Sequence, residues 1–140
     1  MKKISLLIPI LFIALFTNAQ QKVDGPYISS QIDKGAQYTL VLLTASGGEP
    51  PKDSAMSWQA QHLQNLFQLH LEKKISVFGP VTGANPDNLS GIIIFNSTDQ
   101  NEIKKWISHD PFVAKGIVLL KFYQWFSIPG QQLEVVGKPR

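Results

Sequence analysis

Four apolar, β-rich runs separated by two helical segments constrain this chain most. The runs are Tyr38 to Ala45, Ile75 to Phe78, Leu89 to Asn96 and Ile117 to Phe126. Each is short and rich in Val, Ile, Leu or aromatic residues, which fits a pleated, buried surface. The gap between the first two holds the loop Ser46 to Asp53, with Gly47-Gly48 and Pro50-Pro51, then one long helical stretch from Ser54 to Lys74. There Leu63, Leu66, Phe67 and His70 fall at i, i+3, i+4 and i+7, one buried stripe. Lys73 and Lys74 sit where cations favour a helix dipole. The second and third runs are joined only by Gly79-Pro80 and a turn-rich loop, Thr82 to Asn88. The third and fourth are separated by a helix from Gln100 to about Ser108, capped by Asp99.

The order is β-α-β-β-α-β. This is the α+β, split βαβ arrangement: a ferredoxin-like four-stranded antiparallel sheet with its helices on one face. Leu40 to Leu43 reads as a central strand covered on both faces. In the last strand Val118, Leu120, Phe122 and Phe126 share one face, while Ile117, Leu119, Tyr123 and Trp125 share the other with Lys121. Two helices cover only one face of such a sheet. A homodimer with sheets packed face to face is therefore expected, and a C-terminal tail folded over that face is the competing cover. Trp106 and Trp125 are expected in the core.

Residues 106–116 contain a break. The residue before a proline avoids helical backbone, so the helix entering from Asp99 should stop near Asp110. Asp is a preferred N-cap and proline suits the first helical position, so Asp110-Pro111 also starts a second short helix, closed by Gly116.

The ends read differently. Met1-Lys2-Lys3, the apolar run Leu6 to Phe16 and the small residues at Thr17-Asn18-Ala19 form an export signal, residues 1–19, cleaved after Ala19. The apolar run is shorter than the roughly 20 residues of a spanning helix. The protein is expected in the periplasm or outside the cell, without membrane contact once the signal is removed. Cleavage takes Lys2 and Lys3 from 13 basic residues, leaving 11 against 10 acidic ones. A net charge of +1 gives no reason to expect nucleic-acid binding. Residues 20–36 form a polar leader, with Gly25-Pro26 and Gly35 as breakers and an extended piece around Tyr27-Ile28. Residues 37–126 are the folded domain. Residues 127–140 are a tail with a short strand near Leu133 to Val136.

There is no cysteine, so Cys-His nucleophilic chemistry is excluded. His62 and His70 are eight residues apart on one helix, about 12 Å, too far to share a metal directly. No metal-ligand spacing, phosphate loop or serine-nucleophile context is found. His70 reads as a core-edge residue and His109 as a solvated one. His62 stands at the edge of the buried stripe, where its ring can enter a cleft at the sheet rim. An aspartate bonded to one ring nitrogen would fix the tautomer and leave the other to move a proton. Asp110 is the candidate partner. The plainer readings are a half-buried histidine with one hydrogen bond, and an aspartate that only caps a helix.

His62-Leu63, Phe78-Gly79-Pro80, the strand led by Gly91 and the element Asp110-Pro111-Phe112-Val113-Ala114-Lys115-Gly116 resemble the YCII-related (YciI-like) domain. The resemblance runs from about Tyr38 to Phe126. It implies a dimeric α+β barrel and an active-site pair that carries over to His62 and Asp110. One branch of that family removes chloride from a chlorinated hydroxyquinol, and related barrels include muconolactone isomerases. The export signal and the loop Ser46 to Asp53, in place of a short arginine-containing approach, depart from the usual pattern.

Two functions follow as expectations. The first is a small-molecule enzyme in which His62 is the acid/base and Asp110 orients it, acting by elimination or isomerisation on a cyclic compound. Trp58, Phe78 and Phe112 would line its pocket, and no cofactor is required. The second is a non-catalytic dimeric module that binds a small ligand or a partner.

Overall fold

The computed structural model describes residues 21–131 and residue 133. The expected signal with its cleavage site, and all of the expected strand near Leu133 to Val136 except Leu133, lie outside the described residues. No helix among the described residues is long and apolar enough to cross a membrane.

The elements in chain order are α1 (Gly25–Ile32), β1 (Ala36–Ala45), α2 (Ala55–Leu71), β2 (Ile75–Pro80), β3 (Leu89–Phe95), α3 (Gln100–Ile107), α4 (Pro111–Ala114) and β4 (Val118–Ser127). The strands form one antiparallel sheet in the order β2-β3-β1-β4. This is the ferredoxin-like order expected from the sequence. β1 is central, with Val41 opposite Ile93 of β3 and Phe122 of β4.

Side chains alternate across a strand, so β1 has two environments. Thr39, Val41 and Leu43 are buried, whereas Tyr38, Leu40 and Leu42 are only half-buried. The buried row meets Ile93 and Phe95 of β3, Leu66 and Leu69 of α2, and Ile103 and Ile107 of α3 in one core. Among the described residues β1 is fully covered on one face only. On the other face Leu119 is 54% exposed and Tyr123 49%. Trp125 stands there too, 38% exposed against Tyr38, so it is not a core residue. Trp106 is half-buried and packs on Phe95, as expected of a core aromatic.

Two helices differ from their sequence reading. α2 ends at Leu71, because Lys73 takes a positive φ of 58° that helical backbone cannot continue. Lys74 then leaves the helix end, pairs with Glu72 at 2.7 Å and lies over Trp106. Of the expected stripe only Leu66 is buried; Leu63 is 40% exposed, Phe67 56%, and His70 is exposed. His70 is held at the surface by its Nδ1, which donates to the Ile75 carbonyl at 3.0 Å.

The leader holds α1, where an extended piece was expected. Asp24 caps it by accepting from the Tyr27 N–H at 3.1 Å, and Gly25-Pro26 fill the first two helical positions. Proline breaks a helix interior but suits its first turn, where no N–H partner is lost. Gly25-Pro26 is thus a start signal here.

Candidate functional site

The break at Asp110 places a carboxylate inside the protein. α3 stops at Ile107, and Asp110 adopts extended backbone at the N-cap of α4. Its Oδ1 accepts from the N–H groups of Phe112 at 3.0 Å and Val113 at 3.4 Å. Gly116, with φ of 67°, closes the turn, and Ile117 donates back to the Phe112 carbonyl at 2.9 Å. That left-handed conformation favours glycine. Asp110 is 1% exposed. A buried carboxylate needs hydrogen-bond partners, and both of its oxygens have them.

The second oxygen faces α2. Nδ1 of His62 lies 2.6 Å from Oδ2 of Asp110. A carboxylate only accepts, so Nδ1 carries the proton, and in the neutral ring Nε2 then keeps its lone pair. Asn65 donates to the same Oδ2 through Nδ2 at 3.5 Å. Phe112 sets its ring edge-on to the imidazole, at 5.2 Å between centroids and 90° between planes. The imidazole is thus held by a carboxylate on one nitrogen and an aromatic ring beside it.

His62 lines a cavity of about 490 Å³ between α2 and the sheet. The stripe Gln59, His62, Leu63, Leu66 and Phe67 forms its helical wall. Positions 63 and 67 of the expected core stripe therefore face this hollow. Leu43, Phe78, Gly79, Gly91 and Ile93 form the sheet wall, with Phe112, Ile117 and Val118 at one side. Phe67 and Phe78 meet edge to face at 5.1 Å.

Of the five residues expected at the site, His62 and Asp110 are brought together, and Phe78 and Phe112 line the cavity. Trp58 is not among the lining residues. At 3.6 residues per turn it lies roughly 40° from His62, on the side away from Leu63. That is also the side of Asn65, which faces Asp110. His109 is exposed, as expected. Asn65 and Gln59 were not singled out in the sequence. Each is three residues from His62, on neighbouring positions of one helix face, and that spacing was the available signal. No group of three or more His, Cys, Asp or Glu residues with metal-binding geometry occurs among the described residues.

Comparison with known proteins places the chain. No curated protein matches it. A similar solved structure is 5-chloro-2-hydroxyhydroquinone dehydrochlorinase from Burkholderia phenoliruptrix, in complex with 2,5-dihydroxybenzoquinone. It is 23% identical with a TM-score of 0.49, covering 63% of this chain and 92% of the other. The family model of the YCII-related domain matches residues 38–122, from β1 into β4. The chain belongs to the YCII-related domain family.

Proposed function

We propose that this chain is an exported small-molecule enzyme in which His62 moves a proton and Asp110 orients it. The observation that carries this reading is one geometry: Nδ1 of His62 is 2.6 Å from a buried carboxylate, while the same ring lines a cavity. Such a partner fixes the tautomer and stabilises the imidazolium that forms when Nε2 takes a proton.

The reaction class is proton abstraction from a cyclic compound. Nε2 takes a proton from carbon, and the C–H bonding pair forms a new double bond. In elimination the leaving group departs with its own electron pair. In isomerisation His62 returns the proton at another carbon. Neither step requires a cofactor. The active form is a homodimer, joined through the sheet face that carries Leu119, Tyr123 and Trp125. Export rests on the N-terminal sequence alone.

A second reading has its own support. Asp110 caps α4 through Oδ1, so the pair can serve only to hold α2 to α4 around a binding cavity. Both readings meet in one experiment. Cyclic compounds with a leaving group or a movable double bond are screened for turnover by the wild type and by His62→Ala. The enzymatic reading expects conversion by the wild type and a loss of at least a hundredfold in the variant. Conversion by both at equal rates removes His62 from the chemistry. Ligand binding without conversion supports the binding module.

A further inference from the structure

From Ala55 to Leu71, α2 has no Lys, Arg, Asp or Glu. A solvated helix face ordinarily carries charges of both signs. The exposed polar side chains here are Ser57, four glutamines and His70. Among them runs an exposed apolar seam: Met56, Ala60, Leu63, Phe67 and Leu71. At 3.6 residues per turn these side chains lie within about 80° of one another. Met56 is 88% exposed and Leu71 76%. The steps of four, three and four residues from Met56 to Phe67 are those of a seam between two helices. Absence of charge together with Met and Phe is the composition of a protein interface core. A helix that lies on lipid keeps a polar face rich in Lys and Arg, which α2 lacks. Packing through the face of Leu119, Tyr123 and Trp125 would not cover this seam, because α2 lies on the opposite side of the sheet.

We propose that α2 pairs antiparallel with α2 of a second copy across a two-fold axis, and that this pairing closes the mouth of the cavity beside His62. Antiparallel seams set each residue against one from the alternate row. That register places Met56 against Phe67 of the partner subunit, and Ala60 against Leu63 of the partner subunit. The small side chain thus meets a large one, and the thioether meets a ring edge, a favourable contact. The flanking charges agree. Asp53, at the start of one helix, comes beside Lys73 of the partner subunit, at the end of the other. Both are exposed, and neither is in an ion pair within its own copy among the described residues.

The pairing bears on the site because Leu63 and Phe67 belong to both. They line the cavity and are also exposed, so they stand at its mouth. Met56 of the partner subunit would lie across Phe67 and complete the wall there. A seam this narrow falls well short of the roughly 20 residues a side of a standard interface. The pair therefore forms at hundreds of micromolar, not at micromolar concentration.

The test uses the full chain carrying Tyr123→Asp, which disrupts the sheet face and leaves α2 untouched. Sedimentation should give the chain mass at micromolar concentration and twice that mass at several hundred micromolar. Adding Ala60→Glu sets a carboxylate in the seam and should hold the chain mass at both concentrations. Position 60 is exposed and Glu favours helix, so folding is kept. Asp53→Lys should weaken the pairing at least threefold, and adding Lys73→Asp should restore it to within twofold. The register is read by an isotope-filtered NOE in a mixture of labelled and unlabelled chains. Met56 is one of two methionines, the other being Met1. Met56 and Phe67 stand about 16 Å apart along one helix, too far for an NOE within a copy. A cross-peak between the Met56 methyl and the Phe67 ring is therefore expected only between copies. If Tyr123→Asp does not fold, the wild type and Ala60→Glu carry the same comparison, with a doubling of mass in the first and none in the second. A mass that stays constant up to several hundred micromolar overturns the proposal. So does equal association with Ala60→Glu, or a Met56 methyl that meets no Phe67 ring. None of these outcomes depends on the chemistry at His62.

Discussion

Asp110 divides its two oxygens between two neighbours: Oδ1 caps α4 through Phe112 and Val113, and Oδ2 holds Nδ1 of His62 at 2.6 Å. The plain reading of Asp110 as a cap and the functional reading as a histidine partner are therefore both present in one side chain. Substitution can separate them. Asn caps helices about as well as Asp, so Asp110→Asn keeps the cap through its amide oxygen. Its NH₂ then faces His62 and favours the opposite imidazole tautomer. Asp110→Asn should stay within about 1 kcal/mol of wild-type stability in urea unfolding while losing at least a hundredfold in turnover. Asp110→Ala loses the cap as well and should cost about 1–3 kcal/mol.

Trp58 gives a control on the same helix. It lies on the far side of His62 from the cavity wall, so Trp58→Phe should leave ligand affinity within twofold. Phe112→Ala removes the ring that stands edge-on to His62 and should weaken the same ligand at least fivefold. An NMR titration of the two variants with a cyclic compound that binds the wild type distinguishes them.

The exposed sheet face makes a separate prediction. Leu119, Tyr123 and Trp125 form an apolar patch that a second copy would cover. Sedimentation should give twice the chain mass for the wild type. Tyr123→Asp buries a charge in that contact and should shift the protein to monomer at micromolar concentration. A wild-type monomer would return the patch to another cover.

Core packing predicts a stability loss of known size. Phe95 is fully buried between β1, Trp106 and the helices. Phe95→Ala should cost about 3–5 kcal/mol in urea unfolding.

The sheet was legible because strand burial leaves a direct mark. Apolar runs of the right length, separated by helical periods and turn residues, fix β1 to β4 and their order. Asp110-Pro111 was legible because proline acts on its own neighbour and needs no distant partner. The stripe on α2 misled for a physical reason: a helix face against a cavity and one against a packed core have the same periodicity. Leu63 and Phe67 carry the pattern of core residues and line a hollow. Gly25-Pro26 misled because those residues break a helix interior yet begin a helix when Asp24 caps it. The approach of His62 to Asp110 spans 48 residues, and helical spacing offered only which residues share His62's face.

The most direct test is the protonation pattern of the His62 ring, read by long-range ¹⁵N–¹H correlation at a pH where the imidazole is neutral. With Oδ2 of Asp110 as the partner, the proton must sit on Nδ1 and Nε2 must be bare. The same signal should report the opposite tautomer in Asp110→Asn. A wild-type ring that carries its proton on Nε2, or that samples both nitrogens equally, would contradict a histidine held by Asp110 and poised to take a proton.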